Sequence, residues 1–171
     1  AFTITDPDGS STVDCPVDAV PPTPPAVVDA CGTPITPVPG TAPVAPACEG
    51  DMVYTFTYTD CAGNSDVWTY TYTIDIPDFT PPVDDGSTVD CPDDGLVAPT
   101  LPPANDACGN AIVPTLLSQP SPSSCEGGMV WMYTYADCAG NSHVWSYTYT
   151  IDIPAFTIAD PDGSSIVDCP A

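Results

Sequence analysis

Nine cysteines are the most reactive side chains in this sequence, and their spacing decides what they can do. No two are separated by only two residues, and a single histidine, His143, is present. Zinc sites and dithiol redox motifs need closer spacing or more imidazoles, so both readings are disfavoured. What remains is disulfide chemistry, which persists in oxidising compartments. The carboxylates are the second candidate. Asp6 and Asp8 lie in "DPDGSS", Asp84 and Asp85 in "VDDGS", and Asp160 and Asp162 in a second "DPDGSS". Two carboxylates close together before Gly and Ser place oxygen ligands on a sharp turn, which suits a hard cation such as calcium. Asp-Gly is also an ordinary turn dipeptide, so plain turns compete with Ca2+ for these residues. Catalytic chemistry has little support. His143 stands where the first copy of its motif has Asp66, no Ser-His-Asp arrangement recurs, and no glycine-rich phosphate loop occurs. No enzyme activity and no catalytic or cofactor-binding residue is expected.

The charge balance narrows the partners. The chain has 23 acidic residues and neither Lys nor Arg. Without ammonium or guanidinium groups it has nothing to meet phosphates, so nucleic acid is excluded as a partner and anionic membrane surfaces are disfavoured. The surplus acid must be solvated or neutralised by cations, and it keeps an extended polymer soluble by self-repulsion. No run of 18 apolar residues is present, so no transmembrane helix is expected in this segment.

The sequence repeats itself. "YTDCAGNSDVWTYTYTIDIP" at 58–77 returns as "YADCAGNSHVWSYTYTIDIP" at 135–154, an offset of 77. Cys31, Cys48 and Cys61 recur at the same offset as Cys108, Cys125 and Cys138, whereas Cys15, Cys91 and Cys169 step by 76 and 78. Residues 155–171 restate residues 1–17 with few changes. Self-similarity of this kind marks a modular array. The expected organisation is one domain over 1–77, a second over 78–154, and the opening of a third over 155–171, as in a window of a longer array.

Within a repeat the strongest local signal is a hairpin. Residues 52–59 and 67–74 alternate with period two, with Tyr54, Phe56 and Tyr58 on one face of the first run and Trp68, Tyr70, Tyr72 and Ile74 on one face of the second. Aromatic and β-branched alternation is what a half-buried strand requires. "DCAGNS" between the runs supplies the turn. The aromatic stripe reads as core; a carbohydrate-binding platform is the sharper alternative. The front half of each repeat is proline-rich, which confines it to short strands near Ser11–Cys15, Ala26–Asp29 and Pro34–Val38 with irregular links. Pro77, Pro81 and Pro82 stiffen the junction between repeats. The expected fold is all-β: tandem immunoglobulin-like sandwiches with two disulfides per repeat.

Cysteine pairing follows from strand geometry. Cys48 and Cys61 flank a strand of about ten residues and so lie roughly 40 Å apart, too far to bond. In an immunoglobulin-like sandwich, Cys31 and Cys61 sit at one end and Cys15 and Cys48 at the other. The expected pairs are therefore Cys15–Cys48, Cys31–Cys61, Cys91–Cys125 and Cys108–Cys138, each closing a loop of about 30 residues worth roughly 3–4 kcal/mol. Cys169 has no partner within this stretch.

With "DACG", "YTYTDCAGN" and "VWTYTYTI" in view, the repeat resembles hyalin-repeat-like (HYR-like) modules. These immunoglobulin-like domains recur in long surface proteins, notably giant secreted proteins of Bacteroidota. The resemblance is strongest over 29–32 and 54–74 and their counterparts 106–109 and 131–151. It implies an extracellular or cell-surface β-sandwich array serving as an adhesin, stalk or filament, with no catalytic residues. Its partners would be further copies of the same unit, or a glycan or protein ligand. A pilus-like subunit in which residues 1–17 donate a strand is a further alternative. This sequence lacks the cysteine that metazoan hyalin repeats carry near the final strand, so their disulfide scheme does not transfer.

Overall fold

A computed structural model describes residues 2–123 and 125–155. Asp160, Asp162, Cys169 and nearly all of the expected third repeat lie outside these residues. The first repeat contributes β1 (Gly9–Val13), β2 (Val27–Val28), β3 (Pro34–Ile35), β4 (Val38–Pro39), β5 (Gly50–Thr59) and β6 (Ser65–Ile74). The second contributes β7 (Asp85–Val89), β8 (Ala104–Asn105), β9 (Ala111–Ile112), β10 (Thr115–Ser118), β11 (Gly127–Ala136) and β12 (Ser142–Ile151). Short 3-10 turns follow the first strand of each repeat, at Pro16–Asp18 and Pro92–Leu96. The all-β class is as the alternation requires. The proline-rich half yields still shorter strands than expected, only two residues each for β2, β3 and β4. Proline lacks the N–H that a longer ladder would use.

Each repeat builds a four-stranded sheet, ordered β1-β6-β5-β4 and β10-β11-β12-β7, with a two-stranded ribbon, β2-β3 or β8-β9. β5 and β6 pair antiparallel over their full length, from Gly50 opposite Ile74 to Thr59 opposite Ser65. β1 runs parallel to β6, Gly9 beside Tyr70 and Val13 beside Ile74. β7 repeats this against β12. The even-numbered side chains of the β5–β6 hairpin turn inward: Met52, Phe56, Tyr58, Trp68, Tyr72 and Ile74 are all buried. Val27 of the ribbon packs on Phe56, Tyr58 and Trp68 and closes the other side of the core.

The aromatic stripe is thus core, and its polar tips are used. Tyr58 Oη donates to the Pro25 carbonyl at 2.6 Å, and Tyr135 Oη to Pro102 at 2.8 Å. Tyr54 Oη donates to the Ala19 carbonyl at 2.7 Å. In the second repeat Trp131 replaces that tyrosine, and its Nε1–H reaches the corresponding Gly95 carbonyl at 3.0 Å. The substitution preserves both the packing and the bond, which explains why two different aromatics serve one position. Burial raises the Tyr58 phenol above its ordinary pKa, and the nearby Asp6 carboxylate adds to the rise.

The structure also employs aspartates that the sequence offered to calcium. Trp68 Nε1–H donates to the Pro7 carbonyl at 2.9 Å, and the next residue's carboxylate, Asp8 Oδ1, accepts the Thr69 N–H at 2.8 Å. Trp145 donates to Val83 at 2.8 Å, and Asp84 Oδ1 accepts the Ser146 N–H at 2.7 Å. This two-point clamp starts the parallel pairing of β1 on β6 and of β7 on β12. Asp85 Oδ1 accepts the N–H of Gly86 at 2.8 Å. Among the described residues, no three His, Cys, Asp or Glu side chains converge as a metal site would need.

The chain packs as two compact units that cut across the sequence repeats. The first comprises 2–83, 101–115 and 134–145, so it holds the whole first repeat with the two turn-bearing segments of the second. The second comprises 84–100, 116–133 and 146–155, apart from residue 124. No helix among the described residues is long and apolar enough to cross a membrane.

The clamp predicts that Asp8→Ala lowers the urea-unfolding free energy by about 1–3 kcal/mol, the worth of a hydrogen bond to a charged group. Asp8→Asn, which keeps an acceptor oxygen, should lose less than half of that. Both losses should be the same in calcium and in chelator; calcium-dependent stability in the parent chain that vanishes in Asp8→Ala would refute the clamp as the role of Asp8.

Candidate functional site

One five-residue turn is used four times. It reads DACGT at 29–33, DCAGN at 60–64, DACGN at 106–110 and DCAGN at 137–141. In each, the first aspartate and the fifth residue face one another across a backbone hydrogen bond: Asp29 N–H to Thr33, Asp60 to Asn64, Asp106 to Asn110 and Asp137 to Asn141, at 2.8 to 3.1 Å. The aspartate Oδ1 accepts the N–H of the fifth residue at 2.8 to 2.9 Å. Where the fifth residue is asparagine, its Nδ2 donates to Oδ2 at 2.7 to 2.9 Å. The glycine adopts φ of 81°, 84°, 86° and 95° in the four copies, a left-handed conformation that side chains resist. Aspartate, glycine and asparagine are therefore all set by the turn, and the cysteine between them is carried at its tip.

These bonds set the acidity of the aspartates. Burial pushes Asp106 up, but hydrogen bonds from the Asn110 side chain and from the backbone of Asn110, Cys108 and Gly109 outweigh it and leave the carboxyl below its usual range. The Asn64 side chain, followed by backbone N–H groups, likewise lowers Asp60. Asp106 is buried at 8% exposure, whereas its first-repeat counterpart Asp29 is only half-buried.

The two turns of the second repeat lie in the first compact unit, bonded to the first repeat. Cys108 is disulfide-linked to Cys15, with Cα atoms 5.6 Å apart, and Cys138 to Cys48, with Cα atoms 5.8 Å apart. This corrects the expected Cys15–Cys48 and Cys108–Cys138 pairs. Cys31, Cys61, Cys91 and Cys125 are free and exposed, so neither Cys31–Cys61 nor Cys91–Cys125 is formed. Two disulfides per repeat become two disulfides that join the repeats.

The physical reason lies in what covers the end of the first repeat. Cys15 follows β1 and Cys48 precedes β5, and the register puts both beside Ile74, at the end of the sheet away from Cys61. Ala19, Met52, Tyr72, Ile74 and Ile76 form an apolar cluster there, and Cys108 and Ala139 of the two turns pack against it. With the turns seated on this cluster, the sulfurs of Cys15 and Cys48 meet turn cysteines rather than one another. Asn141 Nδ2 also reaches the Ile76 carbonyl at 3.4 Å. His143 contacts Asp78 through Nε2 at 2.8 Å and meets the Phe79 ring edge-on at 4.9 Å. Ile76, Phe79 and Asn141 carried no functional reading in the sequence. The recurrence of D-x-x-G-N/T was the legible signal, since it placed two cysteines on equivalent turns.

Two measurements check this site. Peptide mapping without reduction should recover fragments joining Cys15 to Cys108 and Cys48 to Cys138, and recovery of Cys15–Cys48 instead would overturn the pairing. The lowered carboxyl of Asp106 contributes stability that is complete above the unfolded value of about 3.9 and is lost as pH falls through the folded value. Asp106→Asn should therefore melt several degrees below the parent at pH 7, and the gap should close towards pH 2.

A family model described as "HYR-like domain with 4 cysteines" matches residues 3–74 and again residues 79–151. No curated protein matches the chain. HYR-like domains are repeat modules of extracellular and surface proteins. The matches span most of the sequence as two tandem copies with four cysteines each, and the chain belongs to the family of HYR-like domains with 4 cysteines.

Proposed function

We propose that this chain is a structural segment of an extracellular filament, stalk or surface fibre, in which tandem HYR-like repeats are covalently stapled end to end. The observation that carries this reading is the pair of disulfides joining the first repeat's strand ends to the second repeat's turns. A flexible tether between domains needs no such bonds; a load-bearing rod does. In the chain-entropy picture a bond closing about 90 residues is worth roughly 4–5 kcal/mol, and both bonds here span that scale, at separations of 93 and 90. The charge of −23 supports the same role, because like charge keeps long fibres apart. A cell-surface site in a Bacteroidota-type organism, further copies of the repeat as neighbours, and domain limits near 77 and 154 belong to this proposal. An adhesin role towards a glycan is less favoured, because the aromatic stripe of β5 and β6 turns into the core.

Negative-stain imaging of native material, with and without reductant, tests the reading. Long fibres that soften or fragment on reduction are expected. Dispersed 17.6 kDa chains that bind a glycan saturably would replace the filament by a binding module.

A further inference from the structure

The internal junction has a donor side and an acceptor side, and each exists twice in the chain. The donor side is Cys15 and Cys48 with the Ala19–Met52–Ile74–Ile76 cluster; the acceptor side is the pair of turns bearing Cys108 and Cys138. The second repeat carries the donor residues again as Cys91 and Cys125, with Gly95, Met129, Ile151 and Ile153 at the cluster positions. The first repeat carries the acceptor turns again, with Cys31 and Cys61. All four cysteines of these spare sides are free and exposed.

The spare sides keep the backbone of the used ones. Cys15 and Cys91 each precede a proline-led 3-10 turn, with φ, ψ of −133°, 150° and −128°, 144°. Two residues beyond Cys48 and Cys125, Gly50 and Gly127 have φ of 146° and 147°. The acceptor turns share their hydrogen bonds, Asp29 matching Asp106 and Asp60 matching Asp137. What differs is cover. Ile76 is 4% exposed and Ile153 is 41% exposed; Cys15 is buried and Cys91 is not. Met129 and Ile151 are buried as their counterparts Met52 and Ile74 are, so among the described residues the second donor side presents Ile153 with Cys91 and Cys125.

We infer that a second copy of this chain seats its Cys31 and Cys61 turns on this surface, forming Cys91–Cys31 and Cys125–Cys61 disulfides between copies. The inference rests on the filament reading and specifies its covalent link. Each bond joins two sulfurs as two thiols give up two protons and two electrons. A small-molecule disulfide, such as oxidised glutathione, accepts them and is reduced to two thiols through thiolate exchange. Among the described residues a spare donor side meets a spare acceptor side of a different kind, so the contact is heterologous rather than a symmetric pairing of like surfaces.

The test uses the full chain with Cys169→Ser throughout, so that this additional thiol cannot cross-link. One variant, C31S/C61S, keeps only the spare donor side; another, C91S/C125S, keeps only the spare acceptor side. All four positions are exposed and unbonded, so both variants should fold. After oxidation in a glutathione redox buffer, the unsubstituted background should give a non-reducing ladder in steps of 17.6 kDa. Each variant alone should stay monomeric, and an equimolar mixture should stop at dimer. Peptide mapping of that dimer should show Cys91–Cys31 and Cys125–Cys61. Intrachain Cys31–Cys61 or Cys91–Cys125 bonds, or dimers of either variant alone, would overturn the inference. Native fibres lacking these linkages would remove the inference and leave the filament reading. A specific dimer from the mixture, beside native material that is only monomeric, would remove the filament reading and leave the inference.

Discussion

The cover placed on the apolar end of the first repeat is the constraint on which the rest depends. Each repeat has one well-formed hairpin and a proline-rich half whose strands are two to four residues long beyond the first. Such a sheet shields its two faces poorly at the ends. Ile76 is 4% exposed where the turns of the second repeat pack on its cluster, against 41% for its counterpart Ile153, and two disulfides hold that cover in place. A small domain with a thin core gains from staples of this kind. Here the staple does double duty, because the same bonds that protect a core also connect one repeat to the next.

A chain without Lys or Arg must satisfy its carboxylates by other means. The structure does this with N–H groups. Asp8 and Asp84 accept backbone amides beside the core tryptophans, and Asp29, Asp60, Asp106 and Asp137 each organise a turn. Charge-assisted bonds to backbone are among the stronger ones available. They explain why Asp106 can be buried without a cation, since its carboxyl is surrounded by donors rather than by a counter-charge. The aspartate-rich composition is therefore partly architectural, and the remaining acids are left to solvent.

The aromatic residues show the same economy. Tyr54 and Trp131 differ in size and in donor atom, yet each reaches the equivalent carbonyl across the sandwich. Trp68 and Trp145 do the same for the carbonyls of Pro7 and Val83. A buried ring with one polar tip fills the core and locks a neighbouring segment at once, which suits a fold with few long strands.

The sequence by itself determined the all-β class, the hairpin and its inward face, because alternation with period two is a local property and survives in any context. It also determined that Cys48 and Cys61 lie at opposite ends of one strand, since ten residues of β5 separate them whatever surrounds them. Even the turns were written locally, in Asp, Gly and Asn at fixed spacing. The partner of each sulfur was not. Repeats in register make a bond within one unit and a bond between equivalent positions of neighbouring units indistinguishable in spacing, and nothing local separates Cys48 from Cys125 as the partner of a turn cysteine. Only tertiary packing decided it, by seating the Cys108 and Cys138 turns on the cluster beside Cys15 and Cys48. The same holds for Asp8 and Asp84, whose hydrogen-bond partners, the N–H groups of Thr69 and Ser146, lie far along the chain and are brought alongside only by packing.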